Sequence, residues 1–520
     1  MHDLLKAFFN PGQIPANVSG EDTLKMAEAL SGCVELDVYP RSITGAGGGL
    51  LFLGNRSGRK HVGALSPESV SAGGADWPAR RINFQNRDLV LKTARADSSS
   101  AAWLRTTLPY LVPRPFGTRL AAGTGDRLGL ATAGHVRSIR KTRIAPLFAQ
   151  QSVRENERTG RSPQQVLDDA MFGAFQEGWR EGFGADADHL KSIADVDSFV
   201  AAGYSFFTVD PGAYVDNSAA TATGSNLEKK LQTLPWTELE STPGALEKSL
   251  TDQAIDLGEF RARFTAVDIL RAAAKYGKAI AHTVRLYRHL VGTTNGRPFD
   301  FEMSVDETDS PTTLAEHLYI ASELRRLGVQ WVSLAPRFVG AFEKGVDYIG
   351  DLAEFERSFA GHVAVAKTYG PYKLSLHSGS DKFSIYPIAA RLAGELVHLK
   401  TAGTSYLEAL RAIGRCNPQL FREINGFAVE RYPTDRASYH VSAEIARMPD
   451  AAALSDEELP GLLEDFHTRE VLHVTFGSVL NEARFRERFF ESLRRHEEEY
   501  TRIVEAHFDR HLSRFQRSDP

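Results

Sequence analysis

Cysteine is almost absent: a chain of 520 residues holds two, Cys33 and Cys416. Two thiols so far apart exclude a disulfide framework and a zinc ribbon, and a reducing cytoplasm is the expected setting. Long apolar runs are missing as well. No stretch of about 18 apolar residues occurs, so no membrane-spanning helix is expected. The opening MHDLLKAFFNPGQIP lacks a basic segment followed by a sustained apolar one, so no signal peptide is expected, and the sequon Asn17-Val18-Ser19 carries little meaning without secretion. Positive charge is not in excess either. Against 66 Asp and Glu stand 61 Lys and Arg, a formal charge of -5, which leaves no footprint for nucleic acid or anionic lipid. A small molecule is the expected partner, and the oligomeric state is not legible.

What is present is ordinary for a soluble enzyme, with 42% hydrophobic and 24% charged residues. From about Arg127 short apolar strands alternate with amphipathic helical patterns, the mark of βα units and a parallel sheet. Eight strands are expected: Leu128 to His135, Ile144 to Gln151, Gly182 to His189, Tyr204 to Asp210, Phe299 to Glu307, Val329 to Arg337, Tyr372 to His377 and Glu395 to Thr401. A competing count takes Val471 to Leu480 as the last strand and demotes Ile144 to Gln151. The fold class is α/β, a (β/α)8 TIM-type barrel. Residues 1–120 read as an N-terminal α/β cap segment, 121–415 as the catalytic barrel with an insertion or lid at about 211–298, and 416–520 as a mostly helical extension. The glycine run Gly45-Ala46-Gly47-Gly48-Gly49-Leu50 fails the dinucleotide fingerprint at its sixth position and reads as a turn, so no nucleotide cofactor is expected.

In such a barrel, chemistry sits at the C-terminal ends of the strands. These ends supply His135, Gln150 and Gln151, then Asp186, Asp188 and His189, Asp210, Glu302 and Asp306, Arg337, His377, and His398 with Lys400. The stretch Tyr372 to Pro387 shows the pattern best: Lys373, Ser375 and His377 share one strand face, and a polar loop follows. Imidazoles and carboxylates from separate strands suit a divalent zinc, nickel or manganese ion. The expected ligands are His189, His377 and His398, with Glu302 a fourth ligand or the adjacent acid/base; the plainer reading of His398 is a partner that orients another group. For substrate, the loops Ser378 to Lys382 and Thr401 to Ser405 lead into helix N-termini that favour anions. Gln150, Arg154, Arg337, Ser380, Asp381, Lys382, Lys400 and Thr404 are the candidate binding residues. His507 and His511, four apart, have ligand spacing, but a solvated or packing face is the plainer reading.

Several blocks point to one family. FAQQSVRENERTGR (Phe148 to Arg161), EGFGADADH (Glu181 to His189), FEMSVDETDSPT (Phe301 to Thr312), HSGSDKFSIYP (His377 to Pro387) and HLKTAGTSYLEA (His398 to Ala409) resemble the tagaturonate epimerase family over about residues 120–480. The chain departs from it at Ala122, where the family has Phe, and in the loop Asp210 to Asn217. The resemblance implies a metal-dependent isomerase of hexuronate catabolism that interconverts D-tagaturonate and D-fructuronate at C4. The C4 hydrogen of a 2-ketose is not alpha to the carbonyl, which leaves a retro-aldol route or transient oxidation of C4 by bound NAD. With no nucleotide fingerprint the metal-assisted retro-aldol route is expected, with Asp188 and Glu302 as acid/base groups and Lys400 or Lys382 on the carboxylate or the developing oxyanion. The alternatives are a metal-dependent ketohexose 4-epimerase, isomerase or aldolase on the same barrel, and a sugar-acid binding protein without turnover.

Overall fold

Eight parallel strands close on themselves. They are β1 (Ala121–Gly123), β2 (Ala145–Ser152), β3 (Gly184–Leu190), β4 (Phe206–Val209), β5 (Asp300–Ser304), β6 (Ser333–Ala335), β7 (Lys373–Leu376) and β8 (Val397–Lys400). Each pairs with its neighbour in the chain, and β8 closes on β1 through His398 opposite Ala121 and Lys400 opposite Gly123. The computed structural model describes residues 20–46, 48–70, 72–249, 254–257 and 260–515. The opening segment read for a leader, the sequon and Gly47 lie outside these residues.

Local chemistry sets the switch from strand to helix. Ser152, Ser162, Ser192, Thr265 and Thr313 each cap a helix reciprocally with the side chain three residues on, so two otherwise orphaned N–H groups are satisfied at each start. Helices stand between the strands, among them Pro163–Gln176, Leu314–Arg326 and Leu352–Tyr369. Their apolar faces pack on the strands in one continuous core.

Two strand assignments are corrected. Leu128 to His135 is not the first strand: Asp126 accepts the N–H groups of Leu128 (3.0 Å), Gly129 (2.8 Å) and Ala131 (2.7 Å), and this turn launches the helix Thr132–Ile139. A run of small apolar residues buried on nearly all sides has no period that separates strand from helix. The true β1 is three small residues long. His135 therefore leaves the barrel mouth and pairs with Ser405 Oγ at 2.8 Å. Val471 to Leu480 is also helical, split between Phe466–Val474 and Phe476–Asn481, so the competing count fails.

The insertion contains the helices Gly224–Gln232 and Pro243–Ser249, an antiparallel hairpin of Ala254–Leu257 with Phe260–Arg263, and the helix Ala266–Thr293. That last helix packs outside the barrel against Ile193–Ala202 and Leu314–Arg326. Before the barrel, six strands among the described residues form an antiparallel sheet, in which Thr44–Ala46 pairs with Gly49–Arg56, Ala46 opposite Gly49. Gly63 is required there, since a Cβ would lie 2.2 Å from the Phe52 ring. After the barrel, the helices from Pro418 onward build a second core with the helix Thr404–Cys416. Among the described residues no helix is long and apolar enough to cross a membrane.

One buried ion pair ties the outer layer together. Lys275 of Ala266–Thr293 is fully buried and donates to Glu316 at 2.9 Å, while Glu316 also caps Leu314–Arg326. Removing the cation alone leaves a buried carboxylate unpaired. Lys275→Met is expected to lower unfolding stability by about 3 kcal/mol, and adding Glu316→Gln to recover most of that. Chemical denaturation checks it, and equal stability of the single variant and the native protein contradicts it.

Candidate active site

The period of two along a strand turns Lys373, Ser375 and then His377 into the barrel, and the same alternation brings in Asp186 and Asp188 from β3, Thr208 from β4, Glu302 from β5, and His398 and Lys400 from β8. These polar side chains are buried where a barrel interior normally holds aliphatic residues. They fall into layers. At the base, Asp300 accepts the N–H groups of Phe116 (2.8 Å) and Gly117, and Lys373 Nζ donates to the Gly117 carbonyl at 2.8 Å. Burial pushes Lys373 down to about 8.

The middle layer is organised by one ammonium. Lys400 Nζ lies 2.8 Å from Asp188 Oδ1, 2.9 Å from Glu302 Oε1 and 3.0 Å from Asp186 Oδ2, and donates to Thr208 Oγ1 at 2.7 Å. Burial opposes the charge, but the carboxylates of Asp186, Asp188 and Glu302 hold Lys400 well above the ordinary ammonium range. Burial likewise opposes ionisation of Asp188 and Glu302, and Lys400 outweighs it, keeping both below the usual carboxylate range. Asp188 Oδ2 also accepts from Gln150 Nε2 at 2.9 Å. Glu302 Oε2 has no hydrogen-bond partner among the described residues.

Above this sit two imidazoles in edge-on contact, His189 and His377, with ring centroids 5.0 Å apart. His377 Nε2 is 2.7 Å from Glu302 Oε1 and its Nδ1 is 3.2 Å from Asp306 Oδ1. His189 Nδ1 is 3.3 Å from Asp210 Oδ2, and Asp210 is fixed in turn by Lys191 at 3.1 Å and the Gly212 N–H at 2.9 Å. Burial would discharge both rings. Asp188 and Asp210 instead raise His189 to about 10, and Asp306 raises His377 to about 9. Donor atoms of Asp188, His189 and His377 all lie within 4.8 Å of one another. His189, Ser378 and Asp381 have left-handed φ of 55°, 48° and 64°, conformations that non-glycine residues hold only where the surroundings force them, and often at functional sites.

The cleft over this cluster is walled by Arg127, Arg154, Lys344, Ser378 and Tyr439. Lys344 Nζ donates to Ser378 Oγ at 2.5 Å. Arg127 is pinned by Glu155 at 2.6 Å and stacks on Phe476, its guanidinium carbon 3.6 Å from the ring centroid. Arg154 reaches Glu307 at 3.3 Å. Among the described residues, none of the insertion lines the cleft.

Of the residues singled out from sequence, Gln150, Arg154, Asp188, His189, His377 and Lys400 line this cleft, with Glu302 directly beneath. His398 does not join the two imidazoles: it sits one layer deeper, stacked on Phe206 at 5.0 Å and 3.6 Å from Asp186, and burial lowers its pKa. Arg337 is held elsewhere, its backbone bonded both ways to Thr312. Ser380, Asp381 and Lys382 of the loop after β7, and Thr404 after β8, are buried away from the cleft: Lys382 Nζ donates to the Glu343 carbonyl at 2.7 Å, Asp381 pairs with His507 at 2.7 Å, Thr404 reaches Asp381, and Ser380 the Ala402 carbonyl. Arg127, Lys344 and Tyr439 were missed. Arg127 stands immediately before the misread first strand, while Lys344 and Tyr439 stand in loops without a motif.

Comparison with known proteins agrees with this layout. A family model described as tagaturonate epimerase matches residues 39–515. The tagaturonate/fructuronate epimerase of Thermotoga maritima is 46% identical over 409 residues, 79% of this chain and 83% of that protein. The native crystal structure of fructuronate-tagaturonate epimerase UxaE from Cohnella laeviribosi superposes with a TM-score of 0.86 at 36% identity, covering 95% of this chain and 99% of that one. Its complex with one glycerol gives 0.85 over 96% and 99%. The resemblance carried by the sequence blocks is thereby borne out, and the chain belongs to the tagaturonate epimerase family, an isomerase of the epimerase kind.

Proposed function

We propose that this protein is a cytoplasmic, metal-dependent enzyme of hexuronate catabolism that interconverts D-tagaturonate and D-fructuronate by inverting C4, breaking and re-forming the C3–C4 bond. The observation that carries the reading is the convergence of Asp188, His189 and His377 above a lysine shared by three carboxylates, in a member of this family. Two imidazoles and a carboxylate fit a zinc, nickel or manganese ion. Asp306 beside His377 Nδ1 and Asp210 beside His189 Nδ1 fit the outer carboxylates that orient ligand rings. Asp188, His189 and His377 would hold such an ion, which would supply Lewis acidity to the sugar.

Removing the C4 hydrogen would leave an unstabilised carbanion, whereas cleaving C3–C4 leaves the electron pair delocalised over C2 and C3 and an aldehyde at C4. Glu302 takes the proton of the C4 hydroxyl as that bond opens. The aldehyde turns its other face, C3 re-forms the bond with the same electron pair, and the new C4 alkoxide takes a proton from Lys400. Protonating Glu302 removes one of the three anions that hold the Lys400 proton, so the ammonium becomes a stronger acid when one is needed. Transfer from Glu302 back to Lys400 across 2.9 Å resets both groups. Asp188, read from sequence as the second proton carrier, here serves as a ligand, since its oxygens already accept from Lys400 and Gln150. Arg154 and Lys344 at the rim supply positive charge for the sugar carboxylate.

Two outcomes are expected. Glu302→Gln keeps the ion and the KM within a few-fold while kcat falls about a thousandfold; metal analysis with steady-state kinetics checks this, and a near-native kcat contradicts it. In the metal-free protein His189 and His377 hold their protons to about 10 and about 9, and an ion must displace them. Affinity for zinc therefore rises with pH up to that range. Calorimetry near neutral pH in buffers of different ionisation enthalpy is expected to show release of about two protons per ion, and no release contradicts the ligand assignment.

A further inference from the structure

A second group of buried charge lies behind the loop that follows β7 and takes no part in the cleft. Asp381 of that loop meets Glu408 of Thr404–Cys416, Arg469 of Phe466–Val474, and His507 and His511 of Glu497–Leu512, all buried. His507 Nε2 is 2.7 Å from Asp381 Oδ1 and its Nδ1 is 3.3 Å from Glu408 Oε1. Arg469 Nη2 stands 2.9 Å from Asp381 Oδ1, and Arg411 Nε donates to Glu408 at 2.7 Å. The Asp381 N–H donates to His511 Nε2 at 2.9 Å, and His511 Nδ1 faces the His507 carbonyl at 3.0 Å.

Two imidazoles four residues apart beside a carboxylate have the composition of a metal site. Charge argues otherwise. Asp381 and Glu408 are already offset by Arg469 and Arg411, so a dication would add two uncompensated charges to a dry interior. The His511 Nε2 lone pair is also occupied by a backbone donor.

What the group holds is the loop itself. Ser378 and Asp381 both lie in the left-handed region, and a Cβ at Gly379 between them would meet the Leu376 carbonyl at 2.5 Å, so the turn has a single tight path. At the start of that path Ser378 faces Lys344 across the cleft. We propose that Asp381, Arg469 and His507 form a positioning network for epimerisation: the C-terminal helix clamps the loop after β7 in the backbone path that sets Ser378 and Lys344 to grip the sugar carboxylate. This rests on the functional reading above.

The test uses the full-length, metal-loaded protein. Amide hydrogen exchange over residues 377–384 is measured beside steady-state kinetics on D-tagaturonate for His507→Ala. Lys141→Ala serves as the control, because Lys141 ties the same helix through Glu505 and Asp509, both at 2.7 Å, without touching the loop. His507→Ala is expected to speed exchange in that segment and raise KM about tenfold, with kcat within about twofold. Lys141→Ala leaves KM unchanged, and His507→Gln, which keeps one donor toward Asp381, restores it. A loosened loop with native KM, or unchanged exchange, overturns the proposal, as does a stoichiometric metal ion that His507→Ala alone removes. If His507→Ala does not fold, Arg469→Lys is read the same way. A native protein inert toward D-tagaturonate sinks the functional reading only; exchange then decides the clamp, faster exchange supporting it and unchanged exchange overturning it.

Discussion

One ammonium, Lys400, makes the barrel mouth possible. Asp186, Asp188 and Glu302 approach it to 3.0, 2.8 and 2.9 Å, and three buried carboxylates at such spacing would repel one another without it. Asp188 with Asp210, and Asp306, then raise the two imidazoles above, His189 and His377, so charge alternates upward from carboxylate and ammonium to imidazole. Buried charge of this kind costs desolvation, and a hydrophobic filling would be at least as stable. Its presence in the barrel interior is therefore an argument for chemistry there, not for stability.

Legibility followed local signal. β7 was clear because Leu374 and Leu376 alternate with Lys373, Ser375 and His377, and polar residues on an inward face demand a reason. The inner rim of β3, β5 and β8 followed from the same rule. β1 was not legible: Ala121–Gly123 is short and small, and the stronger apolar run beyond it belongs to a helix launched by Asp126. Depth was harder than direction. His398 and Lys400 share a face, yet two residues along a strand is one barrel layer, and His398 falls beneath the cluster beside Phe206. Ser380, Asp381 and Lys382 had the composition of an anion loop, but their partners come from other segments, those of Asp381 from the far end of the chain, a distance that no local pattern reports.

The barrel and its extension divide the work accordingly. Strand ends supply the buried charged groups of the cleft, while the C-terminal helices supply what packs behind its rim: Phe476 under Arg127, Arg469 and His507 behind Asp381. The family match over residues 39–515 takes in both parts, as expected if the extension completes the site.

The central claim is that C4 is inverted by opening the C3–C4 bond, without removal of the C4 hydrogen. It is tested most directly by running the conversion of D-tagaturonate in D2O and reading the product by proton NMR. The account predicts D-fructuronate with its C4 hydrogen fully retained. Deuterium at C4 would show that the hydrogen is abstracted and exchanged with solvent, and would contradict it.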